Sequence, residues 1–210
     1  LSSLVETTAT VLAMQAAGEV SAEEFKEWTR ESAIRVDAAL GMLGNLLEWS
    51  KSQLVGLKPY KETFNAEFFK NELHEQVQHQ ASIKQVRLRW ELEAGLSLHT
   101  DRHMLRTSMY NLISNAIKFS RKDDEVLIRM FRSTGGICIE VNDQGVGMSP
   151  EVLERVRNPK DIYTTYGTEN EKGTGIGLVL AYDMLALLGA GLSVDSKLGA
   201  GSTFAVFLPE

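Results

Sequence analysis

Cysteine is almost missing from these 210 residues: Cys138 is the only one. A single thiol excludes an internal disulfide framework and fits a reducing compartment. It alternates with Ile137 and Ile139, so a small structural side chain on a strand is expected there, not a reactive thiol. Long apolar runs are missing as well. Nothing approaches the roughly 20 residues that cross a bilayer, and no signal peptide is visible. This piece is therefore expected to make no membrane contact and to be cytoplasmic, while a parent protein could carry an inner-membrane anchor upstream. Basic charge is scarce: 22 Lys and Arg stand against 28 Asp and Glu, a net −6. With no basic run and no aromatic–basic interleaving, a nucleic-acid partner is not expected. The familiar phosphate motifs fail too. No Gly-Lys-Ser/Thr closes a glycine loop, and no glycine fingerprint directly follows a strand with an acidic residue about 20 positions on.

What is there divides near Gly56-Leu-Lys-Pro59, where a glycine and a proline end a helix. Before that point the chain reads as helical. Leu1–Ala17 is rich in Ala, Leu, Thr and Val, and Gly18-Glu19-Val20 breaks it. Ser21-Ala-Glu-Glu24 has the capping-box pattern that starts a second helix. Val36, Leu40, Leu43, Leu47, Ser50 and Leu54 step in a heptad-like stripe, widened by Ile34, Leu46 and Trp49. Two antiparallel helices cannot bury so wide a face alone, so a four-helix bundle built by two chains is expected. The alternative is a hairpin packed on its own chain's other domain.

Beyond Pro59 the pattern turns to mixed α and β. Tyr60–Phe64 reads as a strand, Ala66–Gln80 as a helix, and Val86–Leu92 as a half-buried strand. A helix over about 102–119 comes next, then a hairpin of Glu125–Arg132 and Ile137–Val141 turning at Gly135-Gly136. Ser149-Pro150-Glu151 starts a short helix. Asn158–Lys172 shows no periodicity, Gly175–Leu188 is helical, and Leu192–Asp195 with Ser202–Leu208 close the chain as a hairpin. The expected class is α+β: a helical hairpin over residues 1–56, then an α/β two-layer sandwich over 60–210.

Three separated pieces of the second part look built to hold one nucleotide. In Asn111-Leu-Ile-Ser-Asn115-Ala-Ile-Lys118-Phe119, a helical wheel puts Asn115 about 40° from Asn111 and Lys118 about 20° to its other side. Leu112, Ala116 and Phe119 form the adjacent apolar face. An amide oxygen is a hard ligand suited to Mg²⁺, and a lysine supplies a point charge for phosphate. In Asp143-Gln-Gly-Val-Gly147, Asp143 continues the apolar stripe Ile137, Ile139, Val141. A carboxylate ending a buried stripe needs a hydrogen-bond donor; the exocyclic amine of adenine is one, and Gly145 and Gly147 allow backbone close to a ring. In Gly173-Thr-Gly-Ile-Gly-Leu178, small residues at a helix N-terminus let main-chain N–H groups close on phosphate.

Taken together and in this order, the pieces resemble the ATP-binding domain shared by gyrase, Hsp90, MutL and sensor histidine kinases, and most of all the histidine kinases. Asn111–Phe119 is similar to their N box, Asp143–Gly147 and Gly173–Leu178 to their first two glycine boxes, and Gly199-Ala-Gly-Ser-Thr-Phe204 to the closing glycine hairpin. The resemblance implies a Bergerat-type ATPase sandwich over residues 60–210, preceded by a dimerisation and phosphotransfer hairpin. It implies Mg²⁺ on Asn115, phosphates near Asn111 and Lys118, and adenine against Phe119 and Asp143. Gly145 and Gly147 would floor that pocket, Gly173, Thr174, Gly175, Ile176, Gly177 and Leu178 would wrap the phosphates, and Thr203 would lie near the base. Asn158–Lys172 would be the ATP lid. The family's phenylalanines before the lid are absent, leaving Ile162 and Tyr163 as the large apolar candidates.

None of the four histidines, His74, His79, His99 and His103, fits the family's phosphoacceptor box. Leu1-Ser-Ser-Leu4 resembles the residues just C-terminal to that box, so the acceptor is expected a few positions upstream of Leu1. The implied activity is ATP-dependent phosphorylation of that histidine, with relay to an aspartate of a response-regulator receiver domain and a homodimer formed through the N-terminal helices. No residue here is named as general base. Two rivals remain: a catalytically silent ATP-binding dimer or scaffold, and an ATP hydrolase of the gyrase–Hsp90 type. Hydrolysis would call for a water-activating glutamate before Asn115, and residues 111–114 hold none.

Overall fold

The computed structural model describes residues 58–158, 167–169, 171 and 175–210, together with 21, 23–26, 28, 29 and 44. The chain divides into two compact units, Leu1–Leu47 and Glu48–Glu210. In the first, Ser21 and Glu24 make the capping box that their spacing predicts. The Glu24 N–H donates to Ser21 Oγ at 3.2 Å, and the Ser21 N–H donates to Glu24 Oε2 at 3.0 Å. This satisfies two donors that a helix start otherwise leaves orphaned. The stripe from Val36 to Leu54 and the turn at Gly18–Val20 lie outside the described residues.

In the second unit, strand β1 (Glu62–Asn65) runs into helix α1 (Ala66–Lys84), capped by the Asn65 side chain on the N–H groups of Glu67 and Phe68. β2 (Arg87–Leu92) and β3 (Ser97–Thr100) lead to α2 (Arg102–Phe119). The hairpin β4 (Glu125–Ser133) and β5 (Gly136–Asp143) precedes α3 (Pro150–Arg157), α4 (Ile176–Leu187), β6 (Gly191–Ser196) and β7 (Ser202–Pro209). Five strands form one sheet in the order β2-β4-β5-β7-β6, and β1 pairs with β3 in a second, two-stranded one. Within the large sheet only β2 with β4 is parallel, the intervening β3 and α2 supplying the crossover.

Period-two alternation gives the large sheet one apolar face. Val126, Ile128, Met130, Ile139, Val141, Phe204, Val206 and Leu208 are buried. They share a core with Phe69, Leu73 and Val77 of α1, Leu105, Met109 and Leu112 of α2, and Leu180 and Met184 of α4. The α+β class and the two-layer arrangement are as expected. Two differences stand out. α1 continues four residues beyond Gln80, because Gln85 takes the left-handed conformation (φ 57°) that a glycine usually marks. β3, with only the four residues Ser97–Thr100, is too short for its alternation to declare itself.

Candidate nucleotide site

Helix α2 presents the first group of residues. Asp101 caps its start, accepting from the Met104 N–H at 3.0 Å. Leu112, Ile113, Ala116 and Ile117 are buried against the sheet, which leaves Asn115, Lys118 and Phe119 half-buried along the opposite edge. Asn111 does not share their exposure. It is 5% exposed, and its Nδ2 donates to the Thr107 carbonyl at 2.8 Å. The wheel thus sets three polar groups near one line, and the packing separates the buried one from the two that a ligand can reach. The Asn115 carboxamide takes no protein hydrogen bond among the described residues. The Lys118 ammonium lies 4.8 Å from the Phe119 ring centroid. Burial holds the Lys118 pKa below its ordinary value; Glu171 opposes that shift and Lys84 adds to it.

The end of α2 is where the site's pieces meet. A helix leaves its last four carbonyls without intrahelical donors, and here each has one. Ala116 O takes the Ser120 N–H and Ser120 Oγ, at 3.1 and 2.8 Å, and Ile117 O takes the Ser120 N–H at 3.3 Å. Phe119 O takes the Val146 N–H at 3.1 Å. Lys118 O takes Lys84 Nζ together with the N–H of Thr168, at 3.3 Å. The glycine turn and the loop residue Thr168 are therefore docked on the helix that carries Asn115 and Lys118.

Asp143 ends the buried stripe of β5 at 3% exposure. Its carboxylate accepts from the Gly145 N–H at 2.9 Å and from Ser202, both backbone and hydroxyl. Burial nonetheless dominates and pushes its pKa up to about 6. The β5–β7 register sets Asp143 opposite Ser202 and Asn142 opposite Thr203. Since successive side chains alternate faces, Thr203 is turned away from Asp143. Its hydroxyl accepts from Asn142 Nδ2 at 2.6 Å on the other side of the sheet. Ser202, not Thr203, thus adjoins the Asp143 carboxylate. The signal was available, because Ser202 continues the stripe of Phe204, Val206 and Leu208 in steps of two.

The glycines of the turn serve the protein's own packing. A Cβ on Gly145 would lie 2.2 Å from Phe119 O, and one on Gly147 would lie 2.0 Å from Lys197 O. Any side chain would push the turn off α2 or off the β6–β7 hairpin. α4 starts at Gly175, which has φ 73° and offers no side chain to cap the first-turn N–H groups. Ile176, Gly177 and Leu178 there are half-buried. Tyr163, Gly173 and Thr174 lie outside the described residues. One further charged group borders the site and has no sequence signal, the buried Lys84 at the end of α1.

The donor set fits a magnesium nucleotide. A buried acceptor waits at Asp143, a helix N-terminus without a side-chain cap begins at Gly175, and an amide and an ammonium stand on one edge of α2. Among the described residues no group of three His, Cys, Asp or Glu side chains could hold a metal ion. An ion at Asn115 would therefore complete its shell from phosphate oxygens and water.

Comparison with known proteins agrees with this geometry. The family model described as histidine kinase-, DNA gyrase B- and HSP90-like ATPase matches residues 100–210. The histidine protein kinase DivJ of Caulobacter vibrioides is 32% identical over 188 residues, covering 89% of this chain. The chain spans about a third of that relative, 31% of its length. Two solved structures share the fold. Full-length ShkA in complex with AMPPNP has a TM-score of 0.69 at 21% identity, over 91% of this chain and 40% of that one. The histidine kinase AdeS of Acinetobacter baumannii has 0.67 at 15% identity, over 98% and 94%. The chain belongs to the histidine kinase-, DNA gyrase B- and HSP90-like ATPase family, and within it to the sensor histidine kinases.

Proposed function

We propose that residues 60–210 bind Mg·ATP and serve as the catalytic domain of a protein-histidine kinase. The observation that carries this reading is the buried Asp143, held by Gly145 and Ser202 at the point where α2, the glycine turn and β7 converge. Asp143 accepts a hydrogen bond from the adenine amine, and Phe119 and the glycine turn border the ring. Asn115 holds Mg²⁺, which offsets phosphate charge when bound. Lys118 and the start of α4, with Gly173 to Leu178, hold the phosphates; Asn111 acts from within the helix by fixing its turn. The γ-phosphoryl group passes to an acceptor histidine, with ADP leaving, and then to an aspartate of a response-regulator receiver domain. The protein's part in that transfer is positioning and charge stabilisation. Residues 1–56 form the dimerisation hairpin, and the working unit is a cytoplasmic homodimer.

Asn115→Ala and Asp143→Ala should each abolish Mg·ATP binding in titration calorimetry while the fold is kept by circular dichroism. Unchanged isotherms for both would remove the site.

A further inference from the structure

Lys84 is the most deeply buried lysine among the described residues, at 5% exposure. A lysine in a neutral role keeps its ammonium in water by extending its stem. This one is held under the surface, where a cation is costly unless paired. Its Nζ donates to Glu171 Oε1 at 2.6 Å and to the main-chain carbonyl of Lys118. A cation at the last carbonyls of a helix also meets the negative end of the helix dipole.

Further contacts continue from that pair into the loop before α4. Glu171 Oε2 takes the Glu169 N–H at 2.7 Å, and the Gly167 N–H donates to the Glu171 carbonyl at 2.9 Å. Thr168 shares the Lys118 carbonyl with Lys84, and its hydroxyl donates to Ser120 O at 2.6 Å. Gly167 also lies against the Lys118 side chain, where a Cβ would come within 2.8 Å of Lys118 Cγ. The residue proposed to meet phosphate is thus held at its carbonyl by Lys84 and touched along its stem by the loop that Lys84 anchors.

We propose that Lys84 is a positioning residue for the phosphate end of the site, tying Gly167, Thr168 and Glu171 to the end of α2 and so fixing the base from which Lys118 extends. The proposal deepens the nucleotide reading and rests on it. Glu171 is also the anion that favours the charged form of Lys118, which places the loop, α1 and α2 in one electrostatic cluster.

The test has two arms, both on residues 1–210. In the nucleotide-free protein, amide exchange read by NMR should show the Thr168 N–H exchanging about tenfold faster in Lys84→Met and in Glu171→Gln. The Ile139 and Val141 amides of β5 should keep wild-type protection. Wild-type exchange at Thr168 in Glu171→Gln would overturn the proposal, and that variant leaves Lys84 and the core in place should Lys84→Met fail to fold. In calorimetry with Mg·ADP, each single variant should bind about tenfold more weakly, and the double variant no worse than either single, because one linkage is being removed twice. Losses that multiply in the double variant would overturn it. A wild-type chain that binds no Mg·ADP would instead sink the nucleotide site, and the exchange arm would still decide whether Lys84 anchors the loop.

Discussion

Burying Asp143 opposes the cost of a desolvated charge to the need for an acceptor that water cannot occupy. Its pKa is pushed up from 3.8 to about 6, so the folded state holds the proton more tightly than the unfolded chain. This contribution to stability is fully present below pH 3.8 and is lost as pH rises through about 6. A shift of this size corresponds to roughly 3 kcal/mol surrendered at neutral pH. Asp143→Asn, which keeps the shape and an acceptor oxygen, should therefore raise the melting temperature at pH 7.5 by several degrees, at about 2–4 °C per kcal/mol. The gain should vanish near pH 4, and Mg·ATP binding should be lost throughout. A variant no more stable than wild type at pH 7.5 would contradict the burial argument. Asp143 was legible because Ile137, Ile139 and Val141 set its face in advance, and Ser202 was equally legible from Phe204 and Val206. Lys84 was not: its partner Glu171 is 87 residues away, and no local pattern connects them.

At the scale of elements, α2 and the closing hairpin matched their signals, because caps and periodicity act within a few residues. Asp101 and Ser149 cap the helices that begin after them, and Gly199 and Gly201 mark the β6–β7 turn with φ of 79° and 87°. α1 overran its expected end because its stop is conformational: Gln85 adopts φ 57° while its N–H bonds Ala81 and Ser82 carbonyls. A side chain in that region costs about 1 kcal/mol relative to glycine. Gln85→Gly should accordingly stabilise the domain by about that amount in urea denaturation, since no hydrogen bond of the Gln85 side chain is seen among the described residues. An unchanged or lowered midpoint would show that the side chain packs usefully there. The end of α2 carries the larger lesson. Its carbonyls are satisfied from α1, the glycine turn and the loop at Thr168, so one helix terminus holds three separate segments of the chain together.

For the whole molecule, the described surroundings of the histidines bear on whether any of them accepts phosphate. His74 Nδ1 accepts from Trp90 Nε1 at 3.1 Å, and His99 Nδ1 lies 2.9 Å from Thr63 Oγ1. His103 Nδ1 is 3.3 Å from Arg106 Nη2, and His79 is exposed on α1. The ring partners of His74 and His99 are an indole and a hydroxyl, whereas an acceptor histidine calls for a group that takes its proton. Residues 1–210 incubated with Mg·ATP should acquire no acid-labile phosphate on any of them, and label on one by mass spectrometry would relocate the acceptor. The sequence by itself determined the order of the elements other than β3 and the apolar faces, because these come from periods of 2 and 3.6 and from glycine spacing. Tertiary structure alone decided which polar groups share a surface. Burial withdrew Asn111 from the face it shares on the wheel. Strand register set Ser202 opposite Asp143 and Thr203 opposite Asn142, and a long-range ion pair brought Lys84 to the end of α2. Each depends on a neighbour remote in sequence, and the physics that selects it, desolvation and hydrogen-bond pairing across elements, begins to act only once the chain has closed on itself.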